Sequence, residues 1–76
     1  MWQEKDNKLI CDLTFKDFKE AIAFIVQVSL LAEKHNHHPV MHNLYNTVSL
    51  ELCTHDLGNT ISNKDLLLAK EIESII

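Results

Sequence analysis

Residues 21–32 read AIAFIVQVSLLA, and ten of the twelve are apolar. Only Gln27 and Ser29 interrupt the run. A surface helix of a globular domain carries one apolar stripe, not an apolar cylinder. A helix here must cover a sheet with one side and something else with the other. The chain has 76 residues, and a domain of that size buries only about 60–65% of the surface its unfolded chain exposes. One domain is expected over 1–76, with too few residues to cover the second side. Another subunit is the expected cover, as a homodimer or homotetramer.

The same run is too short for a membrane. Its longest unbroken apolar stretch is six residues, Ala21 to Val26, against the ~20 that a span needs. The opening MWQEKDNK is charged and lacks the apolar core of a signal peptide. A cytoplasmic location is expected. Seven Lys and no Arg stand against eleven acidic residues, for a net charge of −4. This disfavours nucleic acid read through phosphates and an anionic membrane surface. Cys11 and Cys53 form no CxxC pair and are expected to be free, buried or half-buried thiols.

The other elements follow from local signals. Asp6-Asn7 marks a hairpin turn within Met1 to Leu13, with Leu9, Cys11 and Leu13 alternating. Thr14, with Asp17 three residues on, reads as the cap of the long helix, which runs to about Lys34. Pro39 keeps His38 out of helical geometry. Strands are predicted over 40–45 and 47–54, with Asn46 at the turn between them. Val48, Leu50 and Leu52 face one way, and period two puts His55 with the polar set. Gly58-Asn59 is a turn signal. Ser62-Asn63-Lys64-Asp65 caps a last helix. The order ββαββα predicts an α+β layer, a four-stranded antiparallel sheet with two helices on one face.

Between the long helix and the third strand, residues 33–39 read EKHNHHP, and His42 and His55 follow. Imidazole gives and takes protons near neutral pH, and two of them can serve one reaction as acid and base. They can also hold zinc or copper. Adjacent His37 and His38 diverge on an extended backbone, and no cysteine or carboxylate completes a zinc pattern, so metal is disfavoured. Polar loop residues without chemistry stay open as a reading.

These residues carry a resemblance. Glu33, three residues, His37-His38-Pro39, an aromatic at Tyr45, then His55 and Asp65 form a motif similar to that of the pterin-4a-carbinolamine dehydratases. TFKDF at 14–18, YNTV at 45–48, CTHD at 53–56 and KDLLLA at 64–69 fit as well. The resemblance covers essentially the whole chain. Family members begin with a helix ahead of the tryptophan that Trp2 resembles, and the expected fold lacks that helix. Many carry an acidic residue after the proline, where this chain has Val40-Met41, which alters the pocket rim.

The resemblance implies a hydro-lyase, a 4a-hydroxytetrahydrobiopterin dehydratase that needs no metal and no cofactor. A 4a-hydroxytetrahydropterin loses water and becomes a quinonoid dihydropterin, in tetrahydrobiopterin recycling. His37 and His55 are implied as the acid/base pair, and His38 as the residue that binds and orients the pterin. Asn36, Cys53, Thr54 and Asp56 are implied to line the pocket. Glu33 and Asp65 are implied as carboxylates that fix a histidine's tautomer and ring angle. His35 and His42 lie outside the motif and read as ordinary polar residues, and Tyr45 reads as strand packing. An aromatic amino acid hydroxylase is the family's usual pathway companion. An animal member is also a dimerisation cofactor for a homeodomain transcription factor. The alternatives are thus an interaction module using the apolar helix, or a histidine-loop metal binder.

Overall fold

A computed structural model describes residues 1–76 apart from the side chain of Asp56. Four strands and two helices follow the order ββαββα: β1 Gln3–Lys5, β2 Lys8–Thr14, α1 Phe18–His35, β3 Val40–Leu44, β4 Thr47–Leu52 and α2 Asn63–Glu73. The strands form one antiparallel sheet in the order β1-β2-β4-β3. A single 3-10 turn, His55–Leu57, stands between β4 and α2.

The register explains the core. Leu9 pairs with Leu52, Cys11 with Leu50 and Leu13 with Val48. Successive side chains of a strand point to opposite faces, so these six share one face. Against that face lie Ala21, Phe24 and Val28 of α1 and Leu68, Ala69 and Ile72 of α2. Leu50, Leu52, Val28, Leu68 and Ile72 are fully enclosed, and each such side chain stabilises the fold by about 1.5–3 kcal/mol relative to exposure. Trp2 ties the sheet side to α2 by donating from Nε1 to the Ala69 carbonyl at 3.2 Å. Cys11 is buried and Cys53 half-buried, both as free thiols. Burial pushes the Cys11 thiol up from its ordinary value.

The two hairpin turns differ from each other in chemistry. Asp6 and Asn7 are both left-handed, at φ 53 and 62, the pair that a two-residue turn matching strand twist requires. In the β3–β4 turn Tyr45, not Asn46, takes positive φ, at 50. Asn43 holds that turn by donating to the carbonyls of Tyr45 and Thr47 at 3.0 and 2.9 Å. Tyr45 is therefore not a packed strand aromatic. It is largely exposed, at the far end of β4 from the histidines.

Thr14 does not cap α1. It pairs with Thr47 as the last residue of β2. The chain stays extended because Phe15 N–H donates to the Asn46 carbonyl at 2.7 Å, and Asn46 Nδ2 donates back to the Phe15 carbonyl at 2.9 Å. The cap is Asp17, whose Oδ1 accepts from Glu20 N–H at 2.9 Å, while Glu20 reaches back to Lys16 N–H at 3.1 Å. Both residue pairs fit the capping spacing, and the strand decides between them. Asp17→Ala is expected to cost about 1 kcal/mol. Thr14→Ala should change stability by less than ~0.5 kcal/mol. Urea denaturation of the two variants checks the assignment.

The strands also end early. β3 stops at Leu44 because Tyr45 belongs to the turn, and β4 stops at Leu52, beyond which Thr54 pairs with Thr60 instead of continuing the ladder. That short loop takes His55 out of the period-two pattern and onto the 3-10 turn. On the outer side of α1, Val26 is 52% exposed and Leu30 67%. Among the described residues nothing covers that side. Among the described residues no helix is long and apolar enough to cross a membrane.

Candidate active site

The end of α1 aims the first histidines. Asn36 takes the left-handed conformation, at φ 48, and its N–H reaches the carbonyls of Ala32 and Glu33. His37 N–H then donates to the Ala32 carbonyl at 3.0 Å. Paired bonds of this kind satisfy the last carbonyls of a helix and turn the chain sharply. The helix thus ends at Asn36, and Pro39 acts after the turn has been made. His37 is folded back toward α2, where its Nε2 meets Asp65 Oδ1 at 2.5 Å.

Asp65 is fully enclosed. Its Oδ2 accepts from Thr54 Oγ1 at 2.7 Å and from Ser62 N–H at 2.9 Å. The second of these completes the capping box of α2 with Ser62. Asp65 is therefore both a capping residue and a histidine partner. Burial pushes its carboxyl up, but the hydrogen bonds from His37, Thr54 and the Ser62 backbone together outweigh this and hold it below the usual carboxylate range. An ionised carboxylate against Nε2 orients the ring and leaves Nδ1 as its other nitrogen.

His37 lines a cleft of about 270 Å³ with Asn36, His38, Cys53, Thr54, His55 and Lys64. Six of these seven are the residues expected there from the sequence. Asp56, expected beside them, lies outside the described residues. His38 Nε2 meets Glu33 Oε1 at 2.7 Å, a pair that faces solvent, so Glu33 holds its histidine less firmly than Asp65 does. His55 is backed by an amide: its Nδ1 meets Asn59 Oδ1 at 2.6 Å. Three imidazoles thus converge with three different partners, a buried carboxylate, an exposed carboxylate and a neutral amide.

Two residues of the site go beyond the sequence reading. Lys64 also lines the cleft, and its only signal was its place in the KDLLLA segment. Asn59 read as a turn residue alone. His35 stays outside the cleft, as expected, but it is not idle. Its Nε2 meets Glu71 Oε2 at 2.7 Å, and Lys34 meets the other oxygen at 3.0 Å, so the end of α1 is tied to α2. Hydrogen bonds from His35 and Lys34 hold the Glu71 carboxyl below its ordinary value. His42 lies on the outer sheet face, 3.9 Å from Glu51. Among the described residues no three His, Cys, Asp or Glu side chains form a metal-binding group.

The fold is an α+β domain, a helix-backed antiparallel sheet with a cleft lined by three histidines at one end. The sequence profile of one family, described as pterin 4 alpha carbinolamine dehydratase, matches residues 1–75. The chain is 49% identical over 74 residues to a putative pterin-4-alpha-carbinolamine dehydratase of Synechococcus sp. (strain WH7803), covering 97% of this chain and 78% of that one. A namesake from Prochlorococcus marinus (strain MIT 9215) is 45% identical over 97% of this chain and 76% of its own length. The fold superposes on a transcriptional coactivator/pterin dehydratase from Brucella melitensis with a TM-score of 0.91 and 37% identity, over 97% of this chain and 80% of that one. The chain belongs to the pterin-4a-carbinolamine dehydratase family. A pterin dehydratase-like protein that is a RuBisCO assembly factor in the alpha-carboxysome is only 20% identical, at a TM-score of 0.76 over 97% of this chain and 84% of that one, and shares the fold alone.

Proposed function

We propose that this chain dehydrates a 4a-hydroxytetrahydropterin to the quinonoid dihydropterin in tetrahydrobiopterin recycling, using histidines as acid and base. The observation that carries the reading is the convergence of His37, His38 and His55 on one cleft, with His37 anchored to a buried carboxylate. The C4a–O bond breaks with its electron pair going to oxygen, and a protonated imidazole delivers the proton that makes it water. The N5–H proton passes to a neutral imidazole, and the N5–H electron pair closes the C4a=N5 double bond. No net oxidation occurs, so no redox partner is consumed. His37 and His55 form this pair. Each turnover exchanges their protonation states, and solvent protons restore them.

His38, paired with the exposed Glu33, orients the ring rather than moving protons. Asn36, Cys53, Thr54 and Asp56 border the pterin, and Lys64 supplies a donor for its ring carbonyl. The test is the rate of dehydration of a 4a-hydroxytetrahydropterin with pure protein. A rate no greater than the uncatalysed background ends the enzyme reading. The pathway companion would be an aromatic amino acid hydroxylase, which makes the substrate class.

Self-association belongs to the same reading. The uncovered side of α1, with Val26 and Leu30, is apolar surface that a second copy would remove from water. Sedimentation of the pure protein is expected to give a dimer or tetramer. A stable monomer at micromolar concentration would favour the interaction-module alternative, in which a foreign protein covers that side.

A further inference from the structure

Between Thr54 and Thr60 the chain closes on itself. Thr54 N–H donates to the Thr60 carbonyl at 2.8 Å, Asn59 N–H donates to the Thr54 carbonyl at 3.1 Å, and Gly58 N–H to the His55 carbonyl at 3.0 Å. Gly58 and Asn59 are both left-handed, at φ 76 and 59. Two successive left-handed residues reverse the chain tightly, and asparagine is among the few side chains that tolerate the second position. The reversal brings the Asn59 side chain back onto the ring of His55, with Oδ1 at 2.6 Å from Nδ1.

An amide oxygen can only accept a hydrogen bond, so Nδ1 must carry the hydrogen. In the neutral ring the lone pair is then confined to Nε2. Free imidazole side chains in water favour the opposite tautomer, so the partner decides the outcome here. His37 is arranged the other way, with Nε2 committed to Asp65. We propose that Asn59 is a positioning residue that locks His55 in its Nδ1–H tautomer and makes Nε2 its proton-transferring atom. The catalytic consequence rests on the dehydratase reading, but the tautomer does not. The amide carries no net charge, so it fixes the ring without the charge that Asp65 adds beside His37.

The test reads the ring directly. In ¹⁵N-labelled wild type, two-bond proton–nitrogen correlations above the titration range of histidine should give His55 the Nδ1–H pattern. Asn59→Gly removes the side chain at a position where glycine is unstrained, and should return His55 to the Nε2–H pattern with the fold intact. Asn59→Asp keeps an acceptor oxygen and should restore the wild-type pattern. With substrate, Asn59→Gly should lower kcat on the order of tenfold, the lower end of what removing a histidine's hydrogen-bond partner costs at metal sites. KM should change little, and Asn59→Asp should recover most of the rate. An Nε2–H ring in wild type, or a ring unchanged in Asn59→Gly, overturns the proposal. A wild type without dehydration but with an Nδ1–H ring that Asn59→Gly releases sinks the dehydratase reading instead and keeps Asn59 as the residue that sets the ring.

Discussion

His37→Ala is expected to slow dehydration of a 4a-hydroxytetrahydropterin by about 10²–10⁴-fold, the usual share of one general acid or base. Alanine also removes the partner of buried Asp65, so lost folding could imitate lost chemistry. His37→Gln separates the two. Its amide can still donate toward Asp65 but cannot shuttle a proton, so the rate should fall while urea stability stays near wild type. His55→Ala should lose rate on the same scale. The double variant should lose far less than the product of the two single losses, because residues that act as a unit are not additive. His38→Ala should mainly raise KM, as expected for a group that orients substrate. His35→Ala serves as a control, because its ring is tied to Glu71 outside the cleft. Wild-type kcat in both His37→Ala and His55→Ala would remove the histidines from the mechanism.

Much of this was legible in the sequence because the signals are local. Alternation at Val48, Leu50 and Leu52 fixed one face of β4, and Ser62 with Asp65 marked the start of α2. What the sequence could not decide were competitions between equally good local signals. Thr14 and Asp17 both fit a cap, and only the pairing of Thr14 with Thr47 on a distant strand excluded the first. Period two ran β4 to Thr54 and placed His55 with its polar set, but a bridge between Thr54 and Thr60 ended the ladder sooner. The motif named the cleft residues and the carboxylates Glu33 and Asp65, but not which histidine each carboxylate meets. Nothing in one dimension says that Asp65 meets His37, 28 positions away. Nor does it say that a turn asparagine reaches back to His55.

Asp65→Ala is expected to destabilise the protein by about 3 kcal/mol, because it strips a cap and leaves buried donors without an acceptor. A domain of this size has roughly 4–11 kcal/mol in total, so the melting temperature should fall by roughly 12–24 °C. Asp65→Asn should cost less stability and nearly as much activity. The asparagine oxygen can still accept from Thr54 and Ser62, but its NH₂ then faces His37 Nε2 and forces that nitrogen to become the acceptor. The ring proton moves to Nδ1, the wrong side for the proposed transfer. The pH dependence has a definite sign. The folded Asp65 carboxyl titrates below its unfolded value of about 3.9, so its contribution is complete well above that pH. It is lost as pH falls through the unfolded and then the folded value. The stability gap between wild type and Asp65→Ala, measured by urea unfolding, should therefore narrow from about pH 5 downward. A gap that stays constant down to pH 3 would mean that the ionised carboxylate contributes no more than a neutral acceptor. In that case its charge would serve His37 alone.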